Sequence, residues 1–137
     1  MSKLERPLIE KYWNQIGGSI IFEFPMIHKS ETCGPRYLDA LILPKKERQI
    51  LKPSEVTIEG QDIILIQAKC RRLGMYLMGQ AVFSIELMRR FKPASIRSII
   101  LCTEDDSVLR PFLSRYPEVE VVIFPEFRIK RKRALIG

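Results

Sequence analysis

The chain has one histidine, His28, and three cysteines, Cys33, Cys70 and Cys102, with no C-x-x-C pair among them. Zinc sites and disulfide frameworks need clustered or recurrent ligands, so neither is expected. His28 stands in a turn-rich segment, HKSETCGP, with no His or Cys beside it. That leaves a histidine general base nothing to build on. No histidine neighbours Ser19 or Ser84 either, so a serine triad is unsupported. Glycine is scarce, and neither GxxxxGK[ST] nor GxGxxG occurs, so the common phosphate loops are missing. Apolar runs stay far below the roughly 18 residues of a membrane span. The first residues, MSKLERPLIEKYW, lack the uninterrupted apolar core of a signal peptide. A cytoplasmic protein without membrane contact is expected.

Positive charge is abundant. The net charge is +7, and the last ten residues, RIKRKRALIG, hold five basic groups and no acid, leaving about +2 for the rest. Such a tail binds polyanions by releasing their counterions and needs no folded pocket. Nucleic acid is therefore the expected partner, with Lys130, Arg131, Lys132 and Arg133 on its backbone. The length suits one hydrophobic core. We expect a single domain over 1–127 and a basic tail over 128–137.

Hydrophobic spacing orders the elements. Leu8, Ile9, Tyr12, Trp13 and Ile16 predict a helix over 4–16, with Ser2 and Glu5 at capping-box spacing, Pro7 near the first turn and Gly17-Gly18 ending it. Strands are predicted over 19–27, 36–43, 61–69, 96–102 and 118–124 from their β-branched and aromatic content. The 44–60 segment is polar and broken by prolines, so it reads as a connection with room for one helical turn. A long helix is predicted over 72–92, and a second over 104–116 with acids in its first turn. The Met75, Met78 and Met88 run on the long helix reads as core or subunit contact. The resulting α-β-β-β-α-β order, with a further helix and strand, implies a mixed sheet flanked by helices.

Three polar residues disturb the apolar strands. Asp39 interrupts RYLDALIL, and Gln67 and Lys69 interrupt ILIQAK. An unpaired buried carboxylate is costly. If the two strands pair, Asp39 faces Lys69 with Gln67 alongside, and the costs offset one another. The same trio has a chemical use. Hard divalent cations take oxygen ligands and keep several waters, and such a cation stabilises charge developing on a phosphate.

With that element order, D39…Q67-A68-K69 resembles the PD-(D/E)XK nuclease superfamily over about residues 4–102. Leu38 stands where the family often has proline, and Gln67 where it usually has Asp or Glu. The resemblance implies a restriction-endonuclease-like, three-layer α/β/α fold and Mg²⁺-dependent hydrolysis of DNA phosphodiesters, with Mn²⁺ able to substitute. It implies that Asp39 ligates the metal, helped by the Ala68 carbonyl and an acid of the first helix. That acid is Glu5, on the apolar stripe, or Glu10, off it; Glu5 serves equally as the capping-box acid. Gln67 would ligate the metal or position the attacking water, and Lys69 would orient that water. Gln80, eleven residues after Lys69, resembles a glutamine found near the site in several branches. Arg36, Arg71 and Arg72 flank the site, where a phosphate backbone could be clamped. Cutting both strands needs two sites, so a homodimer or tetramer is expected. Two other readings are a catalytically inactive nucleic-acid-binding module of the same fold, and an α/β protein in which Asp39 and Lys69 form only a structural ion pair.

Overall fold

The computed structural model of the protein describes residues 3–129. It is an α/β structure built on one six-stranded mixed sheet with helices on both faces. The elements are α1 (Arg6–Ile16), β1 (Ser19–Ile27), β2 (Arg36–Leu43), β3 (Gln49–Ile50), β4 (Asp62–Ala68), α2 (Met75–Arg89), β5 (Ser95–Cys102) and β6 (Val119–Ile123). The strand order is β3-β1-β2-β4-β5-β6. β2 runs antiparallel to both β1 and β4, while β4, β5 and β6 are parallel. The parallel pair β4–β5 needs a crossover, and α2 supplies it.

Alternation along the central strands divides the core in two. Ile64, Ile66, Ala68, Ile99 and Leu101 pack with Leu8, Ile9, Tyr12 and Trp13 of α1. Ile63 and Leu65 pack with Ile85 and Met88 of α2. Ile100 and Cys102 pack with Leu77 and Ala81 of the same helix. β4 is therefore covered on both faces, which explains its nearly continuous apolar run. Cys70 and Cys102 are buried, as small core residues.

One rung departs from the alternation. Phe22 packs on the α1 side, yet Phe24 and Met26 pack on the α2 side. Opposite them, Ala40 packs on the α1 side and Leu38 on the α2 side. The register pairs Phe22 with Ala40 and Phe24 with Leu38, so both strands change face at the rung holding Glu23 and Asp39. Glu23 makes this possible by adopting φ +53°, an uncommon left-handed backbone for a non-glycine residue. Asp39 thus sits at a kink, where strict alternation would have mis-assigned its neighbours.

Four expectations need correction. α1 begins at Arg6, with Glu5 as N-cap in a helical backbone and without a side-chain cap; Ser2, the other half of the expected capping box, lies outside the described residues. Ile16 is 38% exposed and ends the α1 stripe outside the core. The 104–116 segment is not an α-helix. Asp106 Oδ1 accepts the N–H groups of Val108 and Leu109, and Pro111 brings no N–H, so only a 3₁₀ turn forms over Arg110–Arg115. The 44–60 connection holds the expected helical turn, as a 3₁₀ turn at Pro53–Glu55, and adds the two-residue β3, too short to show a period. α2 is also shorter than its pattern, because Arg72 and Leu73 still bridge to Glu104 beside the sheet. Residues Lys130, Arg131, Lys132 and Arg133 lie outside the described residues. Among the described residues, no helix is long and apolar enough to cross a membrane.

Gly17 and Gly18 join α1 to β1. Gly17 donates its N–H to the Trp13 carbonyl at 2.7 Å, and the buried Trp13 indole N–H donates to the Gly18 carbonyl at 2.8 Å. Gly18 has φ +83°, and an added Cβ would run into the Leu43 carbonyl and lie 2.8 Å from Pro44 Cα. Gly60 has φ +75° with open space around it. Gly18→Ala is therefore expected to cost at least about 2 kcal/mol, from strain plus overpacking. Gly60→Ala, with strain alone, should cost about 1 kcal/mol. Urea unfolding of both variants checks the order, and an equal loss would refute the close-approach role of Gly18.

Candidate active site

The ladder between β2 and β4 pairs Ile42 with Ile64, Leu41 with Leu65 and Ala40 with Ile66, and ends there. β4 continues beside β5 to the Ala68–Leu101 rung, and the Lys69 N–H still donates to the Leu101 carbonyl at 2.9 Å. Past Ile66 the β2 edge of β4 has lost its neighbour. Into this fork projects the Asp39 carboxylate, whose Oδ2 accepts the Ala68 N–H at 2.8 Å. Ala68 is 1% exposed, so its N–H would otherwise be buried without an acceptor. Asp39 replaces the missing backbone carbonyl.

Burial pushes the Asp39 carboxyl above the usual aspartate range, and the Glu5 carboxylate pushes it the same way. The Ala68 hydrogen bond and the Lys69 ammonium oppose them. The Asp39–Lys69 pairing expected from sequence thus takes another form. The direct partner of Asp39 is a backbone amide, and Lys69 acts through its field. Lys69 is exposed and forms no ion pair among the described residues.

Glu5 reaches this neighbourhood because the start of α1 is tied to the end of β4. Cys70, two residues past Ala68, donates its thiol to the Leu4 carbonyl at 2.9 Å. Burial and the Glu5 charge push the Cys70 thiol up, so it is a structural tether with little thiolate character. Glu5 is 7% exposed. Glu10, by contrast, is exposed on the outer side of α1 and pairs with Arg6 at 2.9 Å, while Arg6 lies over the Phe22 ring. Of the two helix acids, Glu5 is near enough for its charge to act on Asp39, while Glu10 pairs with Arg6 on the outer side.

Gln67 is 3% exposed and donates its amide N–H to Ser84 Oγ of α2 at 3.3 Å. It lines a cleft of about 490 Å³ between α2 and the outer ends of β1 and β2. Gln80 and Arg36 line the same cleft. Arg36 donates to the Pro35 carbonyl at 2.9 Å. Arg71 and Arg72 lie elsewhere, in a larger concavity at the carboxyl ends of β4, β5 and β6. Arg72 is paired there with Glu104 at 2.7 Å, and the exposed Arg71 has no ion pair among the described residues.

The donor set suits a hard cation. Two carboxylates, Asp39 and Glu5, share one desolvated neighbourhood, and a positive charge there would relieve the burial and repulsion that raise Asp39. No group of three or more His, Cys, Asp and Glu side chains is clustered for a metal among the described residues. Mg²⁺ often uses one or two carboxylates and fills its shell with water and phosphate.

The pattern in the chain did not reveal Ser84, Cys70 or Glu23 as parts of this region. Ser84 carried a usable signal: a polar residue on an apolar helix face, facing a strand that buries a polar Gln67. Glu23 carried none, since nothing in IFEFP marks a left-handed residue. Comparison with protein-family models, curated proteins and solved structures found no match.

The raised Asp39 pKa predicts how stability depends on pH. A free aspartate titrates near 3.9. Because the folded value is higher, ionised Asp39 carries a stability penalty absent below that pH, which grows through the folded pKa and is constant above it. Asp39→Asn removes the charge and keeps an acceptor for the Ala68 N–H. It should gain on the wild type as pH rises from 3.5 to 7. Asp39→Ala should be less stable than Asp39→Asn by about 1–3 kcal/mol, the cost of an orphaned buried amide. Denaturant unfolding in EDTA at both pH values measures both quantities.

Proposed function

We propose that the protein is a Mg²⁺-dependent DNA endonuclease of the restriction-endonuclease-like fold, acting in the cytoplasm as a homodimer or tetramer. The observation that carries this reading is the desolvated Asp39 carboxylate in the β2–β4 fork, with Glu5 and Lys69 within its electrostatic reach. A carboxylate held where its ionisation is costly is a candidate functional group, and a bound cation would offset that cost.

In this reading Asp39 and Glu5 hold the ion. The N–H and carbonyl of a strand residue share one edge, so the Ala68 carbonyl borders the fork as a third oxygen donor. When bound, Mg²⁺ supplies positive charge against the phosphate and acidifies a water. Lys69, exposed at the mouth, orients the attacking water and neutralises a phosphate oxygen. The Ala68 N–H keeps one Asp39 oxygen fixed, so the other is presented in a single direction. Gln67, anchored by Ser84 on the α2 face, borders the substrate from the cleft beside the fork. Arg71, and Arg72 once exchanged from Glu104, take the DNA backbone, together with the basic run from Lys130 to Arg133.

One observation favours a second reading, an inactive nucleic-acid-binding module. Gln67 is neutral and bound to Ser84, so the fork offers two carboxylates where the resembling family usually has three acids.

Nicking of supercoiled plasmid separates the two. The nuclease reading expects Mg²⁺- or Mn²⁺-dependent nicking that EDTA stops. It expects Lys69→Ala and Asp39→Asn to lower the rate about 10²–10³-fold, with DNA affinity in EDTA within a few fold of wild type. Wild type that binds DNA yet nicks no form of it with either metal establishes the inactive module.

A further inference from the structure

The cleft lined by Gln67 is chemically unlike the fork beside it. Tyr37, Tyr76 and Phe83 form its walls, Gln67 and Gln80 its polar points, and Arg36 lies at its edge. Tyr76 is 77% exposed and Phe83 69% exposed, on the side of α2 turned away from the core. The helix is therefore apolar on both sides, which core packing does not require. The Gln67 amide has one end fixed by Ser84 and the other end without a hydrogen bond among the described residues. The Gln80 amide hydrogen-bonds to nothing among them. No acidic residue lines the cleft.

We propose that this cleft receives an unpaired nucleobase, so that the substrate is DNA carrying an unstacked nucleotide next to the cleaved bond. The inference deepens the nuclease reading and rests on it for the position of that bond. Every base has a π-face, and aromatic side chains stack on it irrespective of sequence. Its Watson–Crick edge offers donors and acceptors to the unbonded end of the Gln67 amide and to the Gln80 amide. Arg36 can meet the phosphate that enters with the base. The competing occupant, α2 of a second copy, is a poorer match, because the polar groups it presents on that side are Gln80 and the Tyr76 hydroxyl, and it brings no anion to Arg36. The chain also places the cleft beside the fork. Gln67 immediately precedes Ala68, whose N–H Asp39 holds, and Arg36 and Tyr37 lead into Asp39 along β2. A base lodged here draws its own backbone toward Asp39.

The test uses the full chain in EDTA, where cleavage is suppressed. The probes are two duplexes with 2-aminopurine at one position, either in a single-nucleotide bulge or fully paired. Quenching of the bulged probe and a Kd at least several-fold below that of the paired duplex are expected. Tyr76→Ala should raise the Kd for the bulged probe about 5- to 100-fold while leaving the paired duplex unchanged. Tyr76 is exposed, so this change empties no core. Gln80→Leu should weaken binding of the bulged probe; if α2 of a second copy fills the cleft, it should instead strengthen self-association in sedimentation equilibrium. Equal affinity for both duplexes, an unaltered Tyr76→Ala, or a Gln80→Leu that promotes dimers each overturns the proposal. Quenching without metal-dependent nicking sinks the hydrolytic reading and leaves base capture standing. Nicking without quenching sinks base capture and leaves the hydrolytic reading standing.

Discussion

A single hydrogen bond, from the Ala68 amide to Asp39 Oδ2, resolves a conflict set by the sheet. β4 must run on beside β5 to complete the parallel ladder, yet β2 ends its pairing at Ala40. The two demands leave a buried amide facing empty edge, and an unsatisfied group there costs as much as a strong hydrogen bond gains. A carboxylate fills the gap at the expense of its own hydration. The group that repairs the ladder is thus a carboxylate whose ionisation burial opposes.

Around this point, each element has a positional reason. Cys70 ties the start of α1 to the end of β4 and so carries Glu5 to the fork. Ser84 ties α2 to Gln67 on the other face. The parallel strands β4, β5 and β6 end together, as in α/β sheets that gather ligands at their carboxyl ends. Arg71 and Arg72 emerge there. The fork, the cleft and this concavity are reached from Gln67 and Ala68 at the end of β4 and the turn after it.

Much of this was legible in the chain, for a definite reason. Strands such as RYLDALIL and DIILIQA are buried on both faces, so any polar residue inside them must be partnered or functional. That rule singled out Asp39, Gln67 and Lys69 without coordinates. The rule is silent on who the partner is. Asp39 bonds to a backbone amide freed by the end of a ladder, and ladder ends depend on register rather than on residue type. Gln67 bonds to Ser84, on the next helix, and Lys69 stays in solvent. The helix expected over 104–116 failed for a local reason, because Asp106 and Pro111 satisfy or remove the N–H groups an α-helix would use. Glu5 fitted two patterns, a capping box and an inward acid, and only the chain's entry into α1 distinguishes them.

The rung of Glu23 and Asp39 has a mechanical consequence. Below it, the β1–β2 hairpin shares its side chains with both layers; beyond it, Phe24, Met26 and Leu38 all join the layer under α2. The hairpin tip therefore packs into the layer that α2 shares with β4, with a left-handed residue on one strand and an acidic residue on the other at the change of face. A substitution at the tip is thus felt first in the core under α2, through Phe24, Met26 and Leu38, and not in the core under α1.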